Sequence, residues 1–355
     1  MKVNNEKQFI SMKQLYAFGK KRKIDLSLSE NPLGCSPVVA RALENINFKV
    51  NDYPHPNGVF LKKKLARLNN LKTANFFVAN GSEAIICSLP RVFSGGDVEV
   101  LIPNLTFPMF KTSSLLAGLK VIEIPMTKSL KINLNKFEQL ITENTKIIFL
   151  CNPNNPTGSI LSKKKILAFL KKISKNILLI IDEANIEFGG ESMIGEVKNN
   201  RNLVVLRTFS KGFGLANLRV GFAVANEKIV NQLERISQPF ATSGLSELLT
   251  SVALTDQNFI QQTKKFISQQ RRLIKKQLVS FGFKVFPSQA NNLFVKLPGN
   301  ISVQKFEQAL DRNNISLVMG KSFSGFDNQF FRVSIRDEKT NQKFLKFIEK
   351  ISDTD

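Results

Sequence analysis

The sequence predicts an α/β protein. A large domain, with a mostly parallel seven-stranded sheet covered by helices, is followed by a smaller α+β domain. Three observations carry this expectation. Between residues 76 and 225, short β-rich runs alternate with helical segments, the pattern of parallel strands joined by crossover helices. Several runs, Ile177–Ile181 among them, are apolar without interruption, as strands buried on both faces must be. After a long helical stretch, short strands return without regular alternation, which marks a second unit.

Taken in order, residues 1–30 read as a polar, partly helical arm ending in Ile24-Asp25-Leu26-Ser27-Leu28 and the turn Asn31-Pro32-Leu33-Gly34. Apolar residues at helical spacing predict a helix over Val38–Ile46. The segment Asp52–Gly58 packs Pro54, Pro56 and Gly58 into five residues and can only be loop. Leu61–Leu68 is a basic amphipathic helix. The seven strand runs are Phe76–Val78, Val98–Ile102, Lys120–Ile124, Lys146–Cys151, Ile177–Ile181, Leu203–Leu206 and Val220–Ala225. Between most of them lie helical stretches at Glu83–Phe93, Met109–Ala117, Asn135–Ile141 and Ser162–Ile173. A helix at Glu227–Ile236 leads to one long helical region from about Ser246 to Phe281. Strands follow at Phe283–Phe286, Asn292–Leu297, Ser316–Val318 and Phe330–Ile335, with helices at Val303–Asn313 and Lys339–Ile351. The expected division is an N-terminal arm and part of the small domain over 1–45, a large ligand-binding domain over 46–240, and a small domain over 241–355. Ligands of such sheets sit at the carboxyl ends of the strands.

Composition narrows the chemistry. The 355 residues can bury a full core at 43% hydrophobic content, which excludes wholesale disorder. Cys35, Cys87 and Cys151 form no close pair, so a disulfide framework and a cysteine-based zinc site are excluded, and a reducing compartment is expected. With His55 as its one histidine, the chain cannot run chemistry that needs two, and no metal is expected. The net charge of +23 raises the question of a polyanionic partner. The basic residues, however, are spread over predicted helices between apolar positions, as on a solvated face, and no nucleic-acid motif occurs. The first 25 residues hold no apolar segment, and no run approaches the roughly 20 residues of a membrane helix. A soluble cytoplasmic protein, without nucleic acid or membrane as partner, is expected.

Five polar clusters fall at strand ends. Asn80-Gly81-Ser82-Glu83 opens a helix, where free backbone N–H groups and the helix dipole suit a phosphate; as an ordinary helix start, Ser82 would serve as the cap. Asn152-Pro153-Asn154-Asn155-Pro156-Thr157-Gly158 is long and rigid for a plain turn, and its asparagines can point amides into a site. Asp182-Glu183-Ala184-Asn185 ends a buried strand, where an acid needs a partner, either a cation or a protonated ring nitrogen. A metal-nucleotide site is the other option, but it needs a glycine six residues before Lys321 in Gly320-Lys321-Ser322, and that position is Ile315. Thr208-Phe209-Ser210-Lys211-Gly212 places a lysine among hydroxyls and glycine; desolvated beside other cations, such a lysine is a nucleophile that forms a Schiff base. Arg219 follows as a planar donor for phosphate. Arg332, on the apolar strand Phe330–Ile335, requires an anion such as a substrate carboxylate. Together these parts describe a pyridoxal-phosphate site.

With these motifs in this order, the sequence resembles the fold-type I pyridoxal-phosphate aminotransferases of class I/II (aspartate aminotransferase-like). It is most similar to histidinol-phosphate aminotransferases and the related threonine-phosphate decarboxylases, from Asn31-Pro32-Leu33-Gly34 to the C-terminal helix. The resemblance implies that Lys211 anchors the cofactor covalently and later shuttles protons, and that Asp182 keeps the pyridine nitrogen protonated. It implies that Asn155 bonds the phenolic oxygen and that Gly81, Ser82, Thr208, Ser210 and Arg219 bind the phosphate, beside Glu83. Tyr53 would reach the cofactor of a neighbouring subunit, which implies a homodimer. Arg332 and Asn31 would bind substrate, a small, phosphorylated amino acid or keto compound, with decarboxylation of an O-phospho amino acid as the alternative. The sequence departs from the family at Asn185, where an aromatic residue is usual, and at Phe107, where the ring that stacks on the cofactor is usually tyrosine. It also departs near Val318, where the histidinol-phosphate branch has an arginine. Lys321 or Arg336 is left as a candidate for that contact.

Overall fold

The computed structural model describes residues 22–93 and 97–352; the predicted arm up to residue 21 lies outside the described residues. The chain runs β1 (Ile24–Asp25), α1 (Pro37–Glu44), α2 (Val59–Asn69), β2 (Phe76–Asn80), α3 (Gly81–Ser88), β3 (Glu99–Pro103), α4 (Met109–Leu116), β4 (Lys120–Ile124), α5 (Leu134–Leu140), β5 (Thr145–Cys151), α6 (Lys163–Lys172), β6 (Leu178–Asp182), β7 (Leu203–Thr208) and β8 (Val220–Val224). It continues through α7 (Glu227–Ile236), α8 (Gly244–Ala253), α9 (Gln257–Ser280), β9 (Lys284–Val285), β10 (Asn292–Lys296), α10 (Val303–Arg312), β11 (Ile315–Ser316), β12 (Val318–Met319), β13 (Phe330–Ser334) and α11 (Glu338–Ser352).

The seven expected strands form one sheet in the order β2-β8-β7-β6-β5-β3-β4. Strands β3 to β7 pair in parallel, while β8 runs against both its neighbours, β2 and β7. The apolar runs are buried for the reason the sequence suggests. Alternate side chains leave a strand on opposite faces, so Ile148, Leu179 and Val205 enter one core while Ile147, Ile180 and Val204 enter the other. Helices cover both. In α6, Ile166, Phe169 and Leu170 face inward, and its lysines lie on the outer side.

The C-terminal sheet has the order β12-β13-β10-β9 and is antiparallel. Its core gathers Ile267 and Ile274 from α9, Phe306 from α10, Phe331 from β13 and Phe344 from α11. Leu26 joins the same core from the N-terminal end, and β1 pairs in parallel with β11.

Three elements differ from expectation. The helical region after Ser246 is two helices. Asp256 breaks it by capping α9, its carboxylate accepting from the Phe259 amide at 3.0 Å and from Ser36 Oγ at 2.5 Å. The strand expected over Ser316–Val318 is split, β11 pairing with β1 and β12 with β13. The helix expected over Glu83–Phe93 begins at Gly81 and tightens to a 3-10 turn at Leu89–Val92, where Pro90 has no N–H to continue it.

Candidate active site

The parallel strands β5, β6 and β7 end side by side at Cys151, Asp182 and Thr208. Beyond them lies a cavity of about 950 Å³, closed on the far side by Leu317, Val318 and Met319 of the C-terminal unit. Asp182 is the last residue of β6, buried and lining this cavity. Burial pushes its carboxyl up to about 6, against the Ala184 amide it accepts from at 3.0 Å and the charge of Lys211. A buried carboxyl held in this way gains from a cationic partner in the cavity. Glu183, the next residue, points elsewhere. It is fully buried, accepts from the Met193 amide and Ser192 Oγ at 2.6 Å each, and lies 3.6 Å from Arg207. It is therefore not the second arm of a metal site. Among the described residues no group of three or more metal-ligating side chains occurs.

Lys211 stands three residues beyond the end of β7 and lines the cavity. Burial lowers its amine to about 8. The neighbouring Arg332 and Arg219 push the same way, and Glu30 and Asp182 oppose them. A substantial fraction of neutral amine is thus present near pH 8, which an ordinary lysine lacks.

Two glycines shape the pocket beside it. Gly81 has φ +78°, and a β-carbon there would lie 2.8 Å from Arg219 Nη2. A β-carbon on Gly221 would lie 2.1 Å from the Ser82 nitrogen. The first turn of α3 can therefore lie directly on β8 with the guanidinium above it. Helix α3 starts without a side-chain cap. Ser82, expected as its cap on the ordinary reading, is inside the first turn and lines the cavity with Glu83. Arg219 Nη1 donates to Ser210 Oγ at 3.2 Å and to the Ala216 carbonyl at 3.1 Å. Ser210 Oγ also accepts from Thr208 Oγ1 at 3.0 Å. Uncapped N–H groups, two hydroxyls and a guanidinium thus converge as an anion cradle.

Of the three asparagines in the proline-rich loop, only Asn155 lines the cavity. Asn152 is bonded to both backbone groups of Leu161, and Asn154 donates to the Leu105 carbonyl at 3.0 Å. Asn155 Oδ1 accepts from Arg332 Nη1 at 2.8 Å, and Arg332 Nη2 donates to the Ser27 carbonyl. Asn185 and Phe107 line the same space. Asn185 is buried, and its Oδ1 has no hydrogen-bond partner among the described residues, an acceptor that a ligand would satisfy. Phe107 meets Phe110 edge-on at 5.8 Å.

Two expected residues do not line this cavity. Tyr53 is 86% exposed and its ring lies 5.0 Å from that of Phe240. Asn31 is committed elsewhere: its amide donates to the Gly212 carbonyl at 2.8 Å and to Thr263 at 3.2 Å, and its oxygen accepts from the Leu33 amide. It braces the loop of Lys211 and does not reach into the cavity. The wall on that side is instead Leu28, Ser29 and Glu30, which sequence reasoning missed although they directly precede the Asn-Pro turn. Arg336 is paired with Glu30 at 2.6 Å and lies outside the lining, whereas Lys321 is part of it.

The residues suit pyridoxal phosphate on three structural grounds: the cradle that a β-carbon at Gly81 would fill, the unsatisfied Asn185 acceptor, and the buried acid facing a desolvated amine. Comparison with known proteins agrees. Residues 21–348 match the family described as aminotransferase class I and II. A histidinol-phosphate aminotransferase of Moorella thermoacetica is 31% identical over 94% of this chain and 86% of its own. The same fold occurs in a histidinol-phosphate aminotransferase of Sinorhizobium meliloti solved with pyridoxal-5'-phosphate (TM-score 0.87, 21% identity, 98% of this chain and 96% of that one). It occurs also in an L-threonine-O-3-phosphate decarboxylase of Porphyromonas gingivalis (TM-score 0.80, 22% identity, 93% and 99%).

Proposed function

This chain belongs to the class I and II aminotransferases, and from that membership we propose that it moves an amino group between a donor such as glutamate and a small phosphorylated compound of the histidinol-phosphate kind. The observation that carries the reading is the single cavity shared by Lys211, Asp182, the Gly81–Arg219 cradle and Arg332.

Pyridoxal phosphate, the cofactor of the family, supplies an electron sink for the carbanion that forms when a proton leaves the substrate carbon. The protein's own residues do the rest. Lys211 would offer its neutral amine for the covalent link to the cofactor and would move the proton at the substrate carbon. Asp182 would hold a proton on the cofactor's ring nitrogen, the cationic partner that its buried carboxyl calls for. Ser82, Thr208, Ser210 and Arg219 hold the phosphate, with Gly81 leaving room for it and Glu83 beside it. Phe107 would pack against the cofactor ring, and Asn155 and Asn185 would offer it polar contacts. Arg332, held in place by Asn155 and the Ser27 carbonyl, orients the substrate anion.

The protein would act as a homodimer. Leu43, Val50, Tyr53, Phe60, Phe240 and Leu248 are large apolar residues left exposed, and Tyr53 lies outside its own cavity. A second copy covering this surface would receive Tyr53 at its cofactor. A cytoplasmic location fits the three free cysteines, and no helix among the described residues is long and apolar enough to cross a membrane.

The test is a product assay on purified holoenzyme. Glutamate with imidazole-acetol phosphate should yield histidinol phosphate and 2-oxoglutarate. Release of carbon dioxide from O-phosphothreonine, with no amino transfer from any donor, would establish the decarboxylase instead.

A further inference from the structure

Four residues adjoin the cavity lining in sequence without being part of it. Glu183 follows Asp182, Arg207 precedes Thr208, Gly212 follows Lys211, and Glu187 comes two residues after Asn185. The fold brings these four together. Arg207 Nη2 donates to Glu187 Oε1 at 2.5 Å, and its Nη1 lies 3.6 Å from Glu183 Oε2. Glu187 sits in the 3-10 turn Ile186–Phe188, with its side chain 5% exposed. A β-carbon on Gly212 would lie 2.6 Å from both Cβ and Cγ of Glu187. Gly212 is outside the left-handed region, so the contact, and not the backbone angle, asks for a glycine. Asn31 takes hold of the same residue at its carbonyl, at 2.8 Å.

Two observations say what this contact does. A buried ion pair adds little stability by itself. Here Glu187 Oε2 and Arg207 Nε are both buried and have no hydrogen-bond partner among the described residues, so the pair is poorly built as a source of stability. As a shape, however, Glu187 is fully used: its carbons, aimed by Arg207, fill the side of Gly212 that a β-carbon would take. The charges that act most on the Lys211 amine belong to Arg332, Glu30, Arg219 and Asp182. Glu187 therefore reaches Lys211 through the backbone and not through its field. Resting on the role given to Lys211 above, we propose that Glu187, aimed by Arg207, is a positioning residue. It packs on Gly212 and fixes the backbone from which Lys211 enters the cavity. Its own turn starts at Asn185, so one contact sets two parts of the lining against each other. A misplacement of about 1 Å at a reacting group can cost roughly 100-fold in rate.

The test reads Lys211 itself. Full-length apoenzyme is mixed with pyridoxal phosphate and quenched with borohydride at intervals, and mass spectrometry gives the rate of covalent capture. Competitive acetylation of Lys211 is measured on the same proteins without cofactor, under conditions where circular dichroism shows them folded. Glu187→Ala should slow capture about 10-fold or more and change the acetylation of Lys211 relative to exposed lysines. Gly212→Ala, which presses on the same contact from the other side, should slow capture likewise. Glu187→Gln keeps the carbons and an acceptor for Arg207, and should restore the wild-type rate. Wild-type capture in either alanine variant would overturn the positioning role, whatever happens to the melting temperature, and so would a glutamine variant as slow as Glu187→Ala. Should Glu187→Ala not fold, the other two variants decide in the same way. If the wild type captures no cofactor at Lys211, the role given to that lysine fails. The placement by Glu187 then stands if acetylation still follows the variants, and falls if it does not.

Discussion

Asn155 and Arg332, 177 positions apart in the chain, meet in a 2.8 Å hydrogen bond from the guanidinium to the amide oxygen. The bond ties the loop after β5 to β13 across the cavity, so one amide positions the guanidinium that is proposed to orient substrate. Asn155→Ala should raise the KM for the amino donor about 10-fold, the order expected for one bond to a charged group. Arg332→Lys should lower kcat/KM about 100-fold, because a lysine cannot repeat the planar two-point contact. The double variant should fall short of the product of the two losses, as steady-state kinetics on all four proteins would register.

Replacing Lys211 by alanine should abolish covalent capture of the cofactor. Borohydride reduction followed by mass spectrometry would find the cofactor mass on the wild type and not on the variant. Amino transfer should drop by about 10⁴-fold or more, the upper end of what one positioned acid–base group contributes.

Capture itself should depend on pH. With the Lys211 amine lowered to about 8, the rate of cofactor attachment to apoenzyme should rise as pH passes from 7 to 9 and then level, whereas an ordinary lysine would keep rising to beyond 10. The stability of the apoprotein should move the other way at lower pH. Asp182 and Glu183 are raised to about 6 and about 7 by burial. A carboxyl that binds its proton more tightly when folded favours the fold at low pH, and that gain is lost as pH rises through the folded value. Melting temperature should therefore fall between about pH 4 and pH 7, and Asp182→Asn should flatten part of the slope.

Gly81→Ala would place a methyl group against Arg219 at a backbone angle that L-residues disfavour by roughly 1–2 kcal/mol. The expected result is an approximately 10-fold weaker cofactor complex, read from fluorescence titration. Gly221→Ala presses on the backbone of α3 instead. It should lower stability by about 1–3 kcal/mol, the usual range for overpacking, in chemical denaturation.

Charge placed among the exposed apolar residues should break the proposed dimer. Phe60→Asp, whose parent side chain is 69% exposed, should sediment as a monomer at concentrations where the wild type sediments as a dimer. If the wild type is itself monomeric, the assembly proposed here is wrong.

Much of the sheet was legible because its strands are apolar without interruption, which few other elements can be. The polar clusters were legible because each breaks such a run at its end. Other features depended on what the fold brings close. The Asn-Pro turn marked Asn31, but the carbonyl of Gly212 claims its amide and leaves Ser29 and Glu30 at the wall. Nothing near Asn155 in sequence announces Arg332. Gly221 looks like an ordinary strand glycine until α3 is laid against it. The break before α9 did carry a local signal: Asp256 is a good capping residue, but apolar spacing on both sides masked it.

Leu26, fully buried in the C-terminal core, and β1, paired with β11, together mean that this core includes a segment that precedes the large domain. A gene fragment encoding residues 241–355 would therefore lack a strand and a core side chain. Tags or fusions joined at residue 30 would separate the C-terminal unit from a part of itself. During synthesis, β1 would have to wait until β11 has been made before it finds its strand partner.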